Sequence, residues 1–194
     1  MRWLARYLLA TKDKGLILQP SGNALEVYVD ADFAGNYNIE DASEEKYTAR
    51  SRYGFIIRYR GCPINWASRM QTEIALSSTE SEFIGLSQSL RQAIPLMELI
   101  NELNANGIDM ATTKPKVYCK VFEDNSGAIE LATVPKMRPR TKHINIKYHH
   151  FRDYVDRGEI TIHAIKSEDQ PADMLTKPLN EDPLCRHRSW IMGW

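Results

Sequence analysis

Apolar positions along this chain shift repeatedly between a helical and a strand period. Leu4, Tyr7 and Leu8 share one helical face, and Gly15 follows as a stop. Leu25 to Asp30 then alternates as a strand. The polar stretch 36–50 reads as a long loop with Asp41, Glu44 and Glu45 solvated. Tyr53 to Tyr59 and Cys62 to Ala67 flank Arg60-Gly61 as two strands of a hairpin, and Pro63 suits an edge strand.

From Thr79 the period lengthens again. Ser77 with Glu80, and Thr79 with Glu82, have capping-box spacing, and Phe83, Leu86, Leu90 and Ala93 share one face. Pro95 is expected to kink or restart this helix, which carries on through Leu96 to Leu103 and stops at Asn106-Gly107. Val117 to Asp124 reads as a fourth strand, and Asn125 or Ser126 can cap a short helix through Ala132. Ile144, Tyr148, Phe151 and Val155 mark a further helix ended by Gly158. Glu159 to Ile165 is the fifth strand, and Asp169 is placed to cap a last helix with Pro171 in its first turn. The order βββαβαβα, without internal repeat, specifies an α/β fold. A mixed sheet follows, with strands one, four and five parallel and strand two antiparallel to the first.

Four carboxylates fall where such elements deliver functional groups. Asp30 shares a strand face with Tyr28 and is the last residue that the strand holds firmly, with Asp32 at the mouth of the loop. On the helix, Glu82 lies about 55° from the centre of the apolar stripe, whereas Glu80 lies nearly twice as far away, faces water and is free to cap. Asp124 ends the fourth strand beside the end of a parallel first strand, and Glu123 points to the other face. Asp173 lies in the first turns of its helix, where the macrodipole favours an anion. Converging acids repel one another, and divalent metal relieves that repulsion; a metal pair suits phosphodiester cleavage.

Composition narrows the setting. With 194 residues, 43% hydrophobic and 26% charged, the chain fits one globular domain with appendages. Its net charge of zero gives no argument for a nucleic-acid partner, which must come from where the charges lie. Cys62, Cys119 and Cys185 are scattered, which points to a reducing compartment rather than a disulfide framework. The apolar start is interrupted by Arg6 and is too short to span a membrane.

Longer blocks of sequence surround these acids: Val29-Asp30-Ala31-Asp32-Phe33-Ala34-Gly35, Ser51-Arg52-Tyr53-Gly54-Phe55, Ile64-Asn65-Trp66-Ala67-Ser68, and Ile74 through Phe83 with its Ser77-Ser78-Thr79-Glu80-Ser81-Glu82 core. Glu123-Asp124-Asn125-Ser126-Gly127-Ala128, Thr141-Lys142-His143-Ile144 and Asp169 through Leu179 complete the set. Together these blocks resemble the ribonuclease H domain of Ty1/copia-type retrotransposon polyproteins. The resemblance implies an RNase H-like fold with sheet order 3-2-1-4-5, over about residues 21–180. Residues 1–20 then look like the tail of a preceding reverse-transcriptase region, and 181–194 form a C-terminal tail. It also implies endonucleolytic cleavage of the RNA strand of RNA–DNA hybrids, with the reverse-transcriptase domain of the same polyprotein as partner. The setting implied is intracellular and cytoplasmic, in a virus-like particle.

Under that resemblance Asp30, Glu82, Asp124 and Asp173 are both the catalytic and the metal-binding residues. Two Mg²⁺ ions are expected, with Mn²⁺ able to substitute. Asp30 would bridge both ions, Asp124 would hold the one that activates water, and Glu82 and Asp173 would complete the shells. Cellular relatives commonly carry a histidine in the loop before the last acid, but Lys166 through Ala172 has none, so its contribution is either absent or supplied otherwise, with Glu168 the candidate. Trp66 is expected in the core. Alternatives from other classes are an RNase H-like DNA nuclease and a non-catalytic nucleic-acid scaffold.

Selecting RNA requires contacts to 2′-hydroxyls across a shallow minor groove, and Gln71, Ser77, Ser78 and Asn125 are the polar candidates beside Glu82. Lys136, Arg138, Arg140, Lys142 and Lys147 form the densest basic stretch, kept extended by Pro135 and Pro139. It reads either as a track for a phosphate backbone or as a solvated linker. If it tracks phosphates, replacing the five bases flattens the salt dependence of hybrid binding, measured as log affinity against log salt.

Overall fold

The alternating residues from Leu25 onward build the middle of one five-stranded sheet. A computed structural model describes residues 2–40, 46–112, 116–134 and 149–194. In it β1 (Leu25–Asp32) pairs antiparallel with β2 (Arg52–Tyr59), and β2 pairs antiparallel with β3 (Cys62–Met70). On its other side β1 runs parallel to β4 (Cys119–Glu123), which runs parallel to β5 (Ile160–Ala164). The order β3-β2-β1-β4-β5 and the strand directions match the sequence reading. β1 is two residues longer than expected, because Ala31 and Asp32 still pair with Tyr53 and Arg52. β4 is shorter at both ends, so Asp124 lies just past it. Pro63 lies on the edge strand at a register shift, where a missing N–H is tolerated.

One sheet face carries Val27, Val29 and Ala31 of β1, Phe55 and Ile57 of β2, and Val121 of β4 into the main core. Covering it is α2 (Ser78–Ala105), which contributes Phe83, Leu86, Leu90, Ala93 and Met97. Burying each of the four larger side chains is worth roughly 1.5–3 kcal/mol, and this anchors the helix. The expected break at Pro95 does not occur. Pro95 sits on the exposed side, where water can serve the carbonyl that it leaves unbonded, while buried Ala93, Ile94, Met97 and Ile100 hold the helix on both sides of it. Helix α3 (Ser126–Thr133) follows β4. Of the helix expected from Ile144, the first residues lie outside the described ones. Its described part is a 3₁₀ turn at His149–Phe151 leading into α4 (Arg152–Asp156), with Phe151 packed on Phe83 at 5.9 Å.

The other sheet face is built on aromatics. Tyr28 stacks on Phe122 at 4.6 Å and meets Trp190 of α5 (Glu181–Met192) edge-on at 4.8 Å. The Arg58 guanidinium lies over the Trp190 ring at 3.8 Å. At and beyond the end of α5 the chain is tied back: Ile17 N donates to Met192 O at 3.0 Å, and Trp194 Nε1 to Gly15 O at 2.8 Å. Trp66 is not in the core but 55% exposed, because it lies on edge strand β3 beside a groove lined by Pro63, Met174 and Ile191. Helix α1 (Arg2–Thr11) buries none of its residues and leaves Trp3, Leu4, Leu8 and Leu9 exposed. Among the described residues no helix is long and apolar enough to cross a membrane.

The last helix expected from sequence is a 3₁₀ segment, Pro171–Leu175, lying across β1 and β2. Its seat is Gly54, which pairs with Asp30: a Cβ there would lie 2.6 Å from Leu175 Cβ and 3.3 Å from the Ala172 carbonyl oxygen. Gly54→Ala is therefore expected to cost about 1–3 kcal/mol of overpacking strain, read from the midpoint of urea unfolding.

Candidate active site

Each acid reaches the site by a different local route. Asp30 follows the parity of β1 onto the face carrying Tyr28 and is 2% exposed. Extending the β1–β4 pairing of Tyr28 with Phe122 by two residues sets Asp124 opposite Asp30. Glu82 comes from the second turn of α2, and Gly85 one turn on lets the helix approach closely. A Cβ at Gly85 would lie 3.3–3.4 Å from those of Tyr53 and Ala31. Asp173 comes from the 3₁₀ segment, where its carbonyl accepts from the backbone N–H of Thr176 and of Lys177, both at 3.1 Å. The four expected acids are brought together. Asp30, Asp124 and Asp173 each hold a carboxylate oxygen within 4.8 Å of the others, and so do Glu82, Glu123 and Asp124.

That second trio contains a residue the sequence reading passed over. Glu123 does point to the opposite face from Phe122, as its parity requires, but that is the face on which Glu82 stands. It is 0% exposed, its Oε1 accepts from Asn125 N at 3.0 Å, and its Oε2 has no hydrogen-bond partner among the described residues. Glu82 Oε2 is likewise buried and without a hydrogen-bond partner among the described residues.

The aspartate side is better supplied. Thr176 Oγ1 donates to Asp30 Oδ2, and Lys177 Nζ lies 3.0 Å from Asp173 Oδ1 and 3.7 Å from Asp30 Oδ1. Ser167 Oγ donates to Asp124 Oδ2 at 2.6 Å. Burial pushes the Asp30 carboxyl up against the lowering pull of Thr176 and Lys177. Burial and then the Asp30 charge raise Asp173 to about 7. Glu123 is raised to about 8, chiefly by burial. Glu82 is pushed far above the usual carboxylate range by burial and then by the charges of Glu123, Asp30 and Asp124.

Two local assignments change. Gln170, not Asp169, caps the 3₁₀ segment, accepting from Ala172 N at 3.4 Å, while Asp169 ends a separate short turn. The Gln170 amide also donates to Val29 O at 2.9 Å and Phe122 O at 3.4 Å, which bridges β1 and β4 where they part. Glu80 does not face water: it is 9% exposed and folds back so that Oε2 accepts from Leu76 N at 2.8 Å.

The polar residues expected at the substrate divide by burial. Ser77 and Ser78 are exposed at the N-cap and first position of α2, with Ser77 Oγ accepting from Glu80 N at 3.1 Å. Asn125 caps α3 by accepting from Ala128 N at 3.0 Å and also accepts from Thr79 Oγ1 at 3.4 Å. Gln71 is buried, and its amide donates to Ser81 O at 2.8 Å, so here it braces the start of α2. Lys136, Arg138, Arg140, Lys142 and Lys147 lie outside the described residues. Glu168 is exposed beside the Asp173 flank, with Oε1 3.6 Å from Lys166 Nζ.

No family model matches the chain. It is 32% identical over 188 residues to the retrovirus-related Pol polyprotein from transposon TNT 1-94 of Nicotiana tabacum, covering 96% of this chain and 13% of that protein. It is 34% identical over 182 residues to the corresponding polyprotein from transposon RE1 of Arabidopsis thaliana, covering 93% and 11%. The chain is homologous to part of the Ty1/copia-type Pol polyproteins. It thus spans about an eighth of the length of these relatives.

Among solved structures, the chain superposes on the N-terminal RNase H domain of a Mycobacterium tuberculosis protein with a TM-score of 0.51 and 12% identity, covering 80% of this chain and 91% of that one. For LC11-RNase H1 in complex with an RNA/DNA hybrid, the TM-score is 0.52 at 16% identity, over 78% and 93%. The fold is therefore that of ribonuclease H.

The raised carboxyls set a pH dependence. Asp173 and Glu123 bind their protons more tightly folded than unfolded, so the stability they contribute is present at low pH. It is lost as pH rises through about 7 and about 8. Chelator-treated protein is expected to melt several degrees lower at about pH 8.5 than at about pH 6, with Mg²⁺ narrowing the gap by offsetting the charge, as scanning calorimetry would show.

Proposed function

We propose that this chain is a ribonuclease H that hydrolyses the RNA strand of RNA–DNA hybrids with two divalent metal ions, during reverse transcription of a Ty1/copia-type element. The observation that carries this reading is the set of largely buried, mutually close carboxylates that includes two oxygens without a hydrogen-bond partner among the described residues. Homology to transposon Pol polyproteins and the ribonuclease H fold support it. So does the solved complex of the similarly folded LC11-RNase H1 with RNA/DNA hybrid.

The donor set fits a hard cation. All the candidate ligands are carboxylate oxygens, which suit Mg²⁺ and Mn²⁺. Asp30, Asp124 and Asp173 would hold one ion, and Asp30, Glu82 and Asp124 would contribute to the other. When bound, such a pair supplies activated water and stabilises both the attacking and the leaving oxygen.

The protein's own groups prepare that chemistry. Asp30 is held rigidly by its strand and by Thr176, so its carboxylate is a fixed reference for the phosphate being cut. Ser167 orients Asp124. Lys177 neutralises Asp30 and Asp173 in the metal-free protein and has to withdraw its ammonium for a cation to reach both. Ser77, Ser78 and Asn125, near Glu82 along the start of α2 and α3, would meet the 2′-hydroxyls that distinguish RNA. The exposed apolar face of α1 supports reading residues 1–20 as reverse-transcriptase tail, ahead of a domain over 21–180 with a C-terminal segment at 181–194.

The test is cleavage of a labelled RNA–DNA hybrid in Mg²⁺, run beside duplex DNA and single-stranded RNA. Wild type is expected to cut only the RNA of the hybrid. D30N and D124N should each lose several kcal/mol of transition-state stabilisation, roughly a thousandfold in rate, while still binding hybrid. A D30N protein that cut normally would sink the metal assignment. Cleavage of duplex DNA instead would favour a DNA nuclease, and hybrid binding without any cleavage would favour a scaffold.

A further inference from the structure

Glu123 is expensive where it stands. A fully buried carboxylate that satisfies only one of its oxygens bears the full desolvation cost of the other, and more if it is charged. Its partner across the gap has the same defect, since Glu82 is 7% exposed with Oε2 unpartnered among the described residues. Two glutamates that served only to pack β4 against α2 would be cheaper as apolar side chains of similar volume. Neither acid has a lysine or arginine in ion-pair contact among the described residues; the nearby lysine, Lys177, serves Asp30 and Asp173 instead.

We propose that Glu123 is a fifth metal-ligating carboxylate, and that Glu82, Glu123 and Asp124 form an inner position for a hard divalent cation beside the one at Asp30, Asp124 and Asp173. The three bring one oxygen each within 4.8 Å of one another, with two of the three side chains more than nine-tenths buried. Asn125 N fixes Glu123 Oε1 at 3.0 Å, which leaves Oε2 as the free donor. Asp124, the partly exposed member, belongs to both trios and gives the inner position its access to solvent. The consequence is a division of labour within one dipeptide: Asp124 is shared, and Glu123 serves the inner ion alone.

This inference rests on the reading that the neighbouring acids bind divalent ions, and the test separates the two. Mn²⁺ binding to the substrate-free chain is followed by electron paramagnetic resonance of the free ion and by calorimetry, for wild type, E123Q, E123D and D173N. D173N is expected to weaken the outer ion and spare the inner one. E123Q should do the reverse, with at least about a tenfold loss of affinity at one site or one ion fewer bound. E123D, which keeps the charge on a shorter arm, should fall between E123Q and wild type, and it is read alone if E123Q does not fold by circular dichroism. If D173N loses an ion while E123Q and E123D bind Mn²⁺ like wild type, the Glu123 proposal is overturned and the outer site stands. Glu82 and Glu123 are then a proton-sharing structural pair. If wild type binds no Mn²⁺, both readings fail.

Discussion

Electrostatic repulsion among buried carboxylates is the constraint around which this molecule is arranged. Two full charges within 4.8 Å of each other repel by roughly 3–4 kcal/mol or more at an effective dielectric near 20. Several such pairs would consume the whole stability of a typical domain, about 5–15 kcal/mol. The fold tolerates the cluster because Val27, Val29, Phe83, Leu86 and Val121 fix the elements that bear the acids. What remains of the repulsion is met locally, by Lys177 and Thr176 on the aspartates and by burial that favours the neutral carboxyl on the glutamates.

The placement of the cluster follows from topology. A parallel pair of strands that stop pairing together opens a fork, and here the fork lies just past Tyr28 and Phe122. Beneath it, Gln170 ties both strand carbonyls with one amide, and the segment that follows carries Asp173 across β1. The helix on the other face adds Glu82 from a turn that Gly85 brings close to the sheet. Site and scaffold are thus joined by short connections, so small shifts of the core would be felt at the acids.

Much of this was legible in residue order, and the misses share a cause. Strand parity identified Asp30, and helix phase identified Glu82, because each depends on one element alone. Parity also gave the direction of Glu123 correctly, but which groups wait on that side is a property of α2, not of β4. Gln170 escaped notice because its value lies in carbonyls at Val29 and Phe122, far away in the chain. Glu80 seemed solvated by phase, yet a capping side chain bends back under its own loop and is buried there. Trp66 carries an apolar signal that cannot reveal an edge strand's half-covered face. Pro95 has a local meaning that packing on both of its sides overrides.

The bond from Thr176 to Asp30 joins residues 146 positions apart. Contacts so distant carry a large loop-closure cost and form late in folding, after the nearer strands and helices have docked. A ribosome making this chain releases Asp30 early, but nothing can clamp it until residues 171–177 have emerged. The acidic cluster is therefore among the last features to be completed, and a chain interrupted before that segment would hold a nearly whole sheet with no finished site.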